Sequence, residues 1–202
     1  MKTIITIQHP QSVHHTNGMI GSWTDWDITE QGVLQAEAIG RRLAPELTNI
    51  RCALYTSDLL RARHTAEILS RHTGLPVWET PALRERNLGQ ALGKPVQWYR
   101  ENAQEEKAVD DRCFPDAESQ RDVWNRLAPF LETVLAAQAD TVLLVSHGDA
   151  LSVFNSLWLE LPPESLRRCR LSGLAGGVSF LYELPDGGRA IRRLSDMSYC
   201  QT

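Results

Sequence analysis

The chain has 202 residues, 42% hydrophobic and 23% charged, an ordinary globular balance that excludes intrinsic disorder and leaves room for one domain over residues 1–202. A formal net charge of −4 opposes a nucleic-acid partner held by bulk electrostatics. The longest apolar runs, such as Val142–Val145, are far too short to cross a bilayer.

Thr3–Ile7 is short, β-branched and bounded by Pro10, which predicts a buried first strand. A polar loop from His9 to Ile28 follows. Thr29 then suits an N-cap for a helix from about Glu30 to Leu43. Cys52–Tyr55 reads as a second strand, and Ser57 as the cap of a helix from Asp58 to His72 that Gly74 and Pro76 close. Val77-Trp78 begins a third strand. Residues 83–118 are broken by Gly89, Gly93, Pro95 and Pro115, with one helix near 96–107. An irregular stretch of that length predicts a lid or substrate loop.

Ser119 and Asp122 form a capping-box pattern for a helix to about Gln138. Val142–Val145 is a fourth strand, and a helix from Asp149 to Leu159 follows. Val178–Tyr182 and Ile191–Leu194, split by Pro185-Asp186-Gly187-Gly188, read as a terminal hairpin, and Gly176-Gly177 as a turn before it. Alternating strands and helices imply an α/β fold with a mostly parallel central sheet, whose ligand site lies at the carboxyl ends of the strands. His9 and His147 both fall at such ends. Cys52, Cys113, Cys169 and Cys200 form no CxxC pair, and Met1-Lys2-Thr3 leads straight into the first strand. Reduced thiols in a cytoplasmic protein are therefore expected.

No phosphate-binding GxxxxGK[ST], dinucleotide GxGxxG, GxSxG or HExxH motif is present. Instead, four segments carry chemistry: Gln8-His9-Pro10-Gln11-Ser12, Ser57–Ala66 with Arg61, Leu83-Arg84-Glu85-Arg86-Asn87-Leu88-Gly89, and Val145-Ser146-His147-Gly148-Asp149. Two strand-end histidines, an arginine on a helix and a glutamate in a loop suit phosphoryl transfer. An imidazole attacks phosphorus, cations and N–H donors hold the oxygens, and a carboxylic acid protonates the leaving group. His14-His15 raises the idea of a metal shared with His9 and His147. Adjacent histidines are expected to project apart, and no Cys or carboxylate completes a ligand spacing, so no metal is expected.

With Thr24-Asp25-Trp26-Asp27-Ile28-Thr29-Glu30-Gln31-Gly32 and Pro115-Asp116-Ala117-Glu118-Ser119, these segments resemble, nearly end to end, the histidine phosphatase superfamily in its phosphoglycerate mutase-like branch. The resemblance implies a three-layer α/β/α sandwich. It implies His9 as the phosphorylated nucleophile, Arg61 and His147 as phosphoryl ligands and Glu85 as general acid and base. Gln8, Ser12, His15, Arg84 and Gly148 are the expected substrate contacts. The partner is a small phosphorylated molecule, with no cofactor, nucleic acid or membrane; a homodimer is compatible with the sequence.

The family opens with Arg-His-Gly, where this chain has Gln8-His9-Pro10, and His15 stands where an Asn is expected. A charge-assisted bond contributes about 1.5–3 kcal/mol, so losing that arginine slows transfer roughly 10- to 150-fold unless something compensates. Candidate compensators are Arg63, Arg84, Arg86, His14 and His15; a less charged group such as a phosphodiester would also need fewer cations. A phosphatase is the expected function. A noncatalytic phospholigand-binding protein and a phosphoglycerate mutase-type isomerase are the alternatives.

Overall fold

The computed structural model describes residues 1–201. In chain order the elements are β1 (Thr3–Gln8), a single turn α1 (Val13–Thr16), α2 (Glu30–Glu46), β2 (Cys52–Thr56), α3 (Leu60–Thr73) and β3 (Val77–Glu79). They continue with α4 (Val96–Asn102), α5 (Gln120–Ala136), β4 (Thr141–Ser146), α6 (Gly148–Trp158), β5 (Val178–Glu183) and β6 (Arg189–Asp196).

The six strands form one sheet in the order β3-β2-β4-β1-β5-β6. β1, β2, β3 and β4 pair parallel, and the terminal hairpin β5–β6 adds on antiparallel. All six residues of β4 are buried, as a central strand covered on both faces requires. Its alternate side chains enter opposite cores. Val142 and Leu144 pack with Leu127, Phe130 and Phe154 of α5 and α6, while Leu143 and Val145 pack with Ile39, Leu43 and Ala66 of α2 and α3. This is the expected three-layer α/β/α sandwich.

Parallel pairing of β1 with β4 sets Gln8 beside Ser146, so the chain leaves both central strands at the same carboxyl end and delivers His9 and His147 together. The turn after β1 is then held against α2. Thr29 Oγ1 caps α2 by accepting from Gly32 N at 3.1 Å, and Thr29 N donates to the Gln11 carbonyl at 3.0 Å. A Cβ on Gly32 would lie 2.1 Å from that same carbonyl oxygen, so only glycine lets the His9 turn lie on the helix. Gly32→Ala should therefore destabilise the fold by about 1–3 kcal/mol through overpacking, despite alanine's better helix propensity. That corresponds to a Tm drop of about 2–4 °C per kcal/mol, readable by thermal unfolding. An unchanged Tm would mean that the Gln11 carbonyl is not fixed there.

Several local expectations shift. The N-cap of α3 is Leu59 and not Ser57. Ser57 Oγ accepts from Leu59 N at 3.2 Å, and Asp25 Oδ1 reaches across from the first loop to accept from Leu60 N at 3.0 Å. The cap is supplied by tertiary structure. The helix expected near 96–107 ends at Asn102, and α2 runs on through Pro45 to Glu46. Residues 83–118 carry one 3-10 turn (Gly89–Ala91) besides α4, follow directly on another (Pro81–Leu83), and pack their own small core of Ala91, Cys113, Phe114 and Ala117 with Trp98 and Tyr99. Ser119 and Asp122 do form the capping box. The cysteines at 52, 113, 169 and 200 are unpaired. Among the described residues no helix is long and apolar enough to cross a membrane.

Candidate active site

His9 is 2% exposed, and its hydrogen bonds define its tautomer. Nδ1 lies 2.9 Å from the Pro10 carbonyl oxygen, which can only accept, so Nδ1 carries the proton. Nε2 accepts from Arg61 Nε at 3.2 Å, as a lone pair must. Burial, with Arg61 nearby, holds the His9 pKa well below the usual imidazole range. The ring is thus neutral with an available lone pair at Nε2. Pro10, which has no N–H for an anion, contributes a carbonyl that orients the imidazole.

Arg61 comes from the first turn of α3 and is 1% exposed. It is held by backbone carbonyls: one amino group donates to Thr24 O at 2.8 Å, the other to Ser22 O at 2.6 Å. Burial lowers its pKa to about 10, while Glu85 and Asp25 support the charge, so it stays cationic at neutral pH.

Glu85 lies over the N-terminus of α6. Its Oε1 accepts from Arg86 N at 2.8 Å and Ala150 N at 3.1 Å, and its Oε2 from Asp149 N at 3.3 Å. Those amides and Arg61 favour the carboxylate. Burial and the neighbouring Asp149 side chain outweigh them and push its pKa up to about 7. A carboxyl poised near 7 can give and take a proton at physiological pH. Its backbone is fixed as well, since Trp23 Nε1 and Arg126 both donate to the Glu85 carbonyl, at 2.6 and 2.9 Å. Trp23, Ser22, Thr24 and Asp25 thus assemble the site from the first loop.

His147 is fully buried, its ring centroid 5.0 Å from that of His9. Neither of its nitrogens has a hydrogen-bond partner, and the same holds for Gln8 Oε1. Such orphaned polar atoms are uncommon in a folded interior, and here they adjoin the His9 ring. Burial, with Arg61 and His9 nearby, keeps the His147 pKa well below its ordinary value. The Gln8 amide lies against Gly148, about where a Cβ on that glycine would touch it at 3.5 Å.

Ser12 is wholly buried and serves as a hub for the two added histidines. Its backbone N–H donates to His15 Nδ1 at 3.1 Å, and its Oγ is 2.7 Å from His14 Nδ1. The expectation that adjacent histidines project apart fails. The turn of α1 folds both rings back over Ser12, so His14 and His15 are 4.0 Å apart between centroids and each about equally far, 5.6 and 5.5 Å, from His9. Ring nitrogens of His9, His14 and His15 lie within 4.8 Å of one another. The donor set nevertheless fits a cation poorly. Arg61 Nε–H caps the His9 lone pair and Ser12 N–H caps that of His15, so a metal would break both bonds beside a buried guanidinium.

Arg84, expected at the substrate, is drawn away: it makes a bidentate pair with Asp58 at 2.8 and 2.6 Å and lies 4.6 Å over the Trp23 ring. Arg86 pairs with Glu106 and donates to the Glu118 carbonyl. Arg126 pairs with Glu118 at 2.9 Å. His64 and His72 bond to Asp27 and Glu37, away from the cluster. The structure thus brings together His9, Arg61, Glu85, His147, Gln8, Gly148, Ser12 and His15, and leaves Arg84 engaged elsewhere.

A model described as the histidine phosphatase superfamily (branch 1) matches residues 4–196. A probable phosphoglycerate mutase of Yersinia enterocolitica is 32% identical, covering 85% of this chain and 81% of its own. A 2,3-bisphosphoglycerate-dependent phosphoglycerate mutase of a Bradyrhizobium species is 30% identical, with 91% and 92% covered. Among solved structures, mycobacterial glucosyl-3-phosphoglycerate phosphatase superposes with a TM-score of 0.83 at 21% identity, covering 96% of this chain and 98% of that one. Bacillus stearothermophilus YhfR superposes with a TM-score of 0.82 at 24% identity over the full length of both chains. At those identities the likeness is one of fold.

Proposed function

This chain belongs to the histidine phosphatase superfamily, and from that membership and its pocket we propose that it hydrolyses a small phosphorylated metabolite through a phosphohistidine on His9. The observation that carries the reading is the fixed tautomer of His9: Nδ1–H on the Pro10 carbonyl, with the Nε2 lone pair facing Arg61. A phosphoryl group entering between Nε2 and Arg61 takes over that guanidinium donor as Nε2 attacks phosphorus. Gln8, His147 and the His15 ring supply neutral N–H donors to the phosphoryl oxygens. Ser12 acts by orienting His14 and His15, and Gly148 gives the Gln8 amide room. Glu85, protonated below about pH 7, gives its proton to the leaving oxygen and then takes one from the attacking water. Arg84 acts at a distance by pinning Trp23, whose indole holds the Glu85 carbonyl.

The chemistry is covalent and calls for no metal. Residues 83–118 form the wall that closes on the rest of the substrate, and the four free cysteines support a reducing, cytoplasmic setting. Phosphate release from a panel of aryl and sugar phosphates and nucleotides tests the reading, with a rapid acid quench to trap labelled enzyme. Acid-labile phosphoryl enzyme with net phosphate release is expected. Interconversion of phosphoglycerates dependent on a bisphosphate primer would instead assign a mutase, as two relatives are named. Ligand-induced thermal stabilisation with no turnover would assign the binding protein, for which the loss of the arginine at Gln8 is the motive.

A further inference from the structure

Each candidate that could replace the missing arginine is accounted for in the structure. Arg84 is held by Asp58, and Arg86 by Glu106. Arg63 is partly exposed and lies 3.9 Å from Glu67 on its own helix. His15 accepts Ser12 N–H at Nδ1, so its other nitrogen carries the ring's single proton and the ring is neutral. Burial and His15 hold the His14 pKa at about 3, and burial beside Arg61 lowers that of His15. Gln8 is an amide. Among the described residues, Arg61 is therefore the one cation touching His9, and the Glu85 carboxyl faces it.

We infer that this pocket selects a phosphoryl group bearing a single negative charge, a phosphodiester, over the dianion of a phosphomonoester. The inference rests on the hydrolase reading for its chemistry, though the charge preference can be measured without it. One guanidinium balances one anionic charge, while the donors around it (the Gln8 amide and neutral imidazoles) hydrogen-bond oxygens without adding charge. Gln8 Oε1 is itself buried and unpartnered, an acceptor that tolerates a neutral ester oxygen better than a second anionic one. The second ester group has a way out past His15, which is exposed although its ring centroid lies 5.5 Å from that of His9.

The reaction balances as ordinary hydrolysis. The His9 Nε2 lone pair forms a P–N bond, the P–O bond to one alcohol breaks, and that oxygen takes the electron pair and the Glu85 proton. Water then attacks phosphorus and gives its proton to the Glu85 carboxylate; the P–N bond breaks, its electrons return to Nε2, and a phosphomonoester leaves.

Two substrates with one leaving group decide it: para-nitrophenyl phosphate and methyl para-nitrophenyl phosphate. At about pH 7.5 the first is mostly dianionic, because its second pKa is about 6. Wild type should show kcat/KM at least about tenfold higher for the diester, the scale of one charge-assisted bond. Gln8→Arg, or Gln8→Lys should the first fail to fold, should move that ratio about tenfold toward the monoester. Preference for the monoester with a ratio unmoved in the variant overturns the inference. If neither substrate turns over and the wider panel of phosphate esters is silent as well, the hydrolase reading fails. Calorimetric binding of dimethyl phosphate against methyl phosphate at the same pH then reads the charge preference directly: tighter dimethyl phosphate sustains it, and tighter methyl phosphate overturns it.

Discussion

His9→Ala should lower phosphate release by about 10⁴-fold or more, the scale on which covalent enzymes lose turnover without their nucleophile. The size of the effect follows from the geometry. His9 is the group whose unprotonated nitrogen is oriented by a backbone carbonyl on one side and met by the buried guanidinium on the other. Acid-labile phosphoryl enzyme should vanish in the same variant. Because the side chain is buried at a crowded strand end, loss of fold has to be separated from loss of chemistry. Retained stabilisation by orthovanadate or phosphate makes that separation, since Arg61 and His147 remain. Added imidazole, entering the space the ring leaves, should restore part of the activity. Turnover within about tenfold of wild type would remove His9 from the nucleophile's role.

Glu85→Gln should cost about 10²–10⁴-fold on an alkyl ester, the usual contribution of a positioned general acid. The loss should be much smaller on a nitrophenyl ester, whose leaving group departs without a proton. The pH dependence has a definite sign. Burial and Asp149 raise the Glu85 pKa to about 7, so the proton-donating form persists to that pH and is lost above it. After correction for the substrate's own ionisation, kcat/KM for the alkyl ester should fall about tenfold per pH unit above roughly 7. In Glu85→Gln that alkaline fall should disappear, because no proton is left to lose. An alkaline limb of the same position in the variant would assign the titration to another group. Asp149→Asn, which keeps the α6 turn but removes the neighbouring charge, should shift the wild-type limb to lower pH.

Much of this site was readable from the residues in order. β1 and β4 are short β-branched or aliphatic runs, and a histidine follows each within a residue or two, so a parallel pairing was bound to set His9 near His147. Thr29 and the Ser119–Asp122 pair announced their helices because caps act over three residues. Arg61, three residues past Asp58, sat where an early helical turn would present it. These are local signals: the periodicity of the chain and the chemistry of a cap depend on neighbours in sequence.

Other features were decided only when distant segments met. Ser22 and Thr24 hold Arg61 across nearly forty residues, and Trp23 reaches the Glu85 carbonyl across 62. Asp25 supplies a cap where the sequence pointed to Ser57 alone, and Asp58 claims the guanidinium of Arg84. The convergence of His14 and His15 on Ser12 depends on one turn of helix that their spacing did not reveal. The physical reason is common to all of these. A polar side chain bonds to whichever partner the fold leaves within reach at about 3 Å, and the path of a loop sets that reach. The sequence by itself determined the layers, the strand ends and the address of His9, the candidate nucleophile. Tertiary structure alone decided the His9 tautomer, the raised pKa of Glu85 and the count of charges around His9, because desolvation and pairing exist only once the chain has closed on itself.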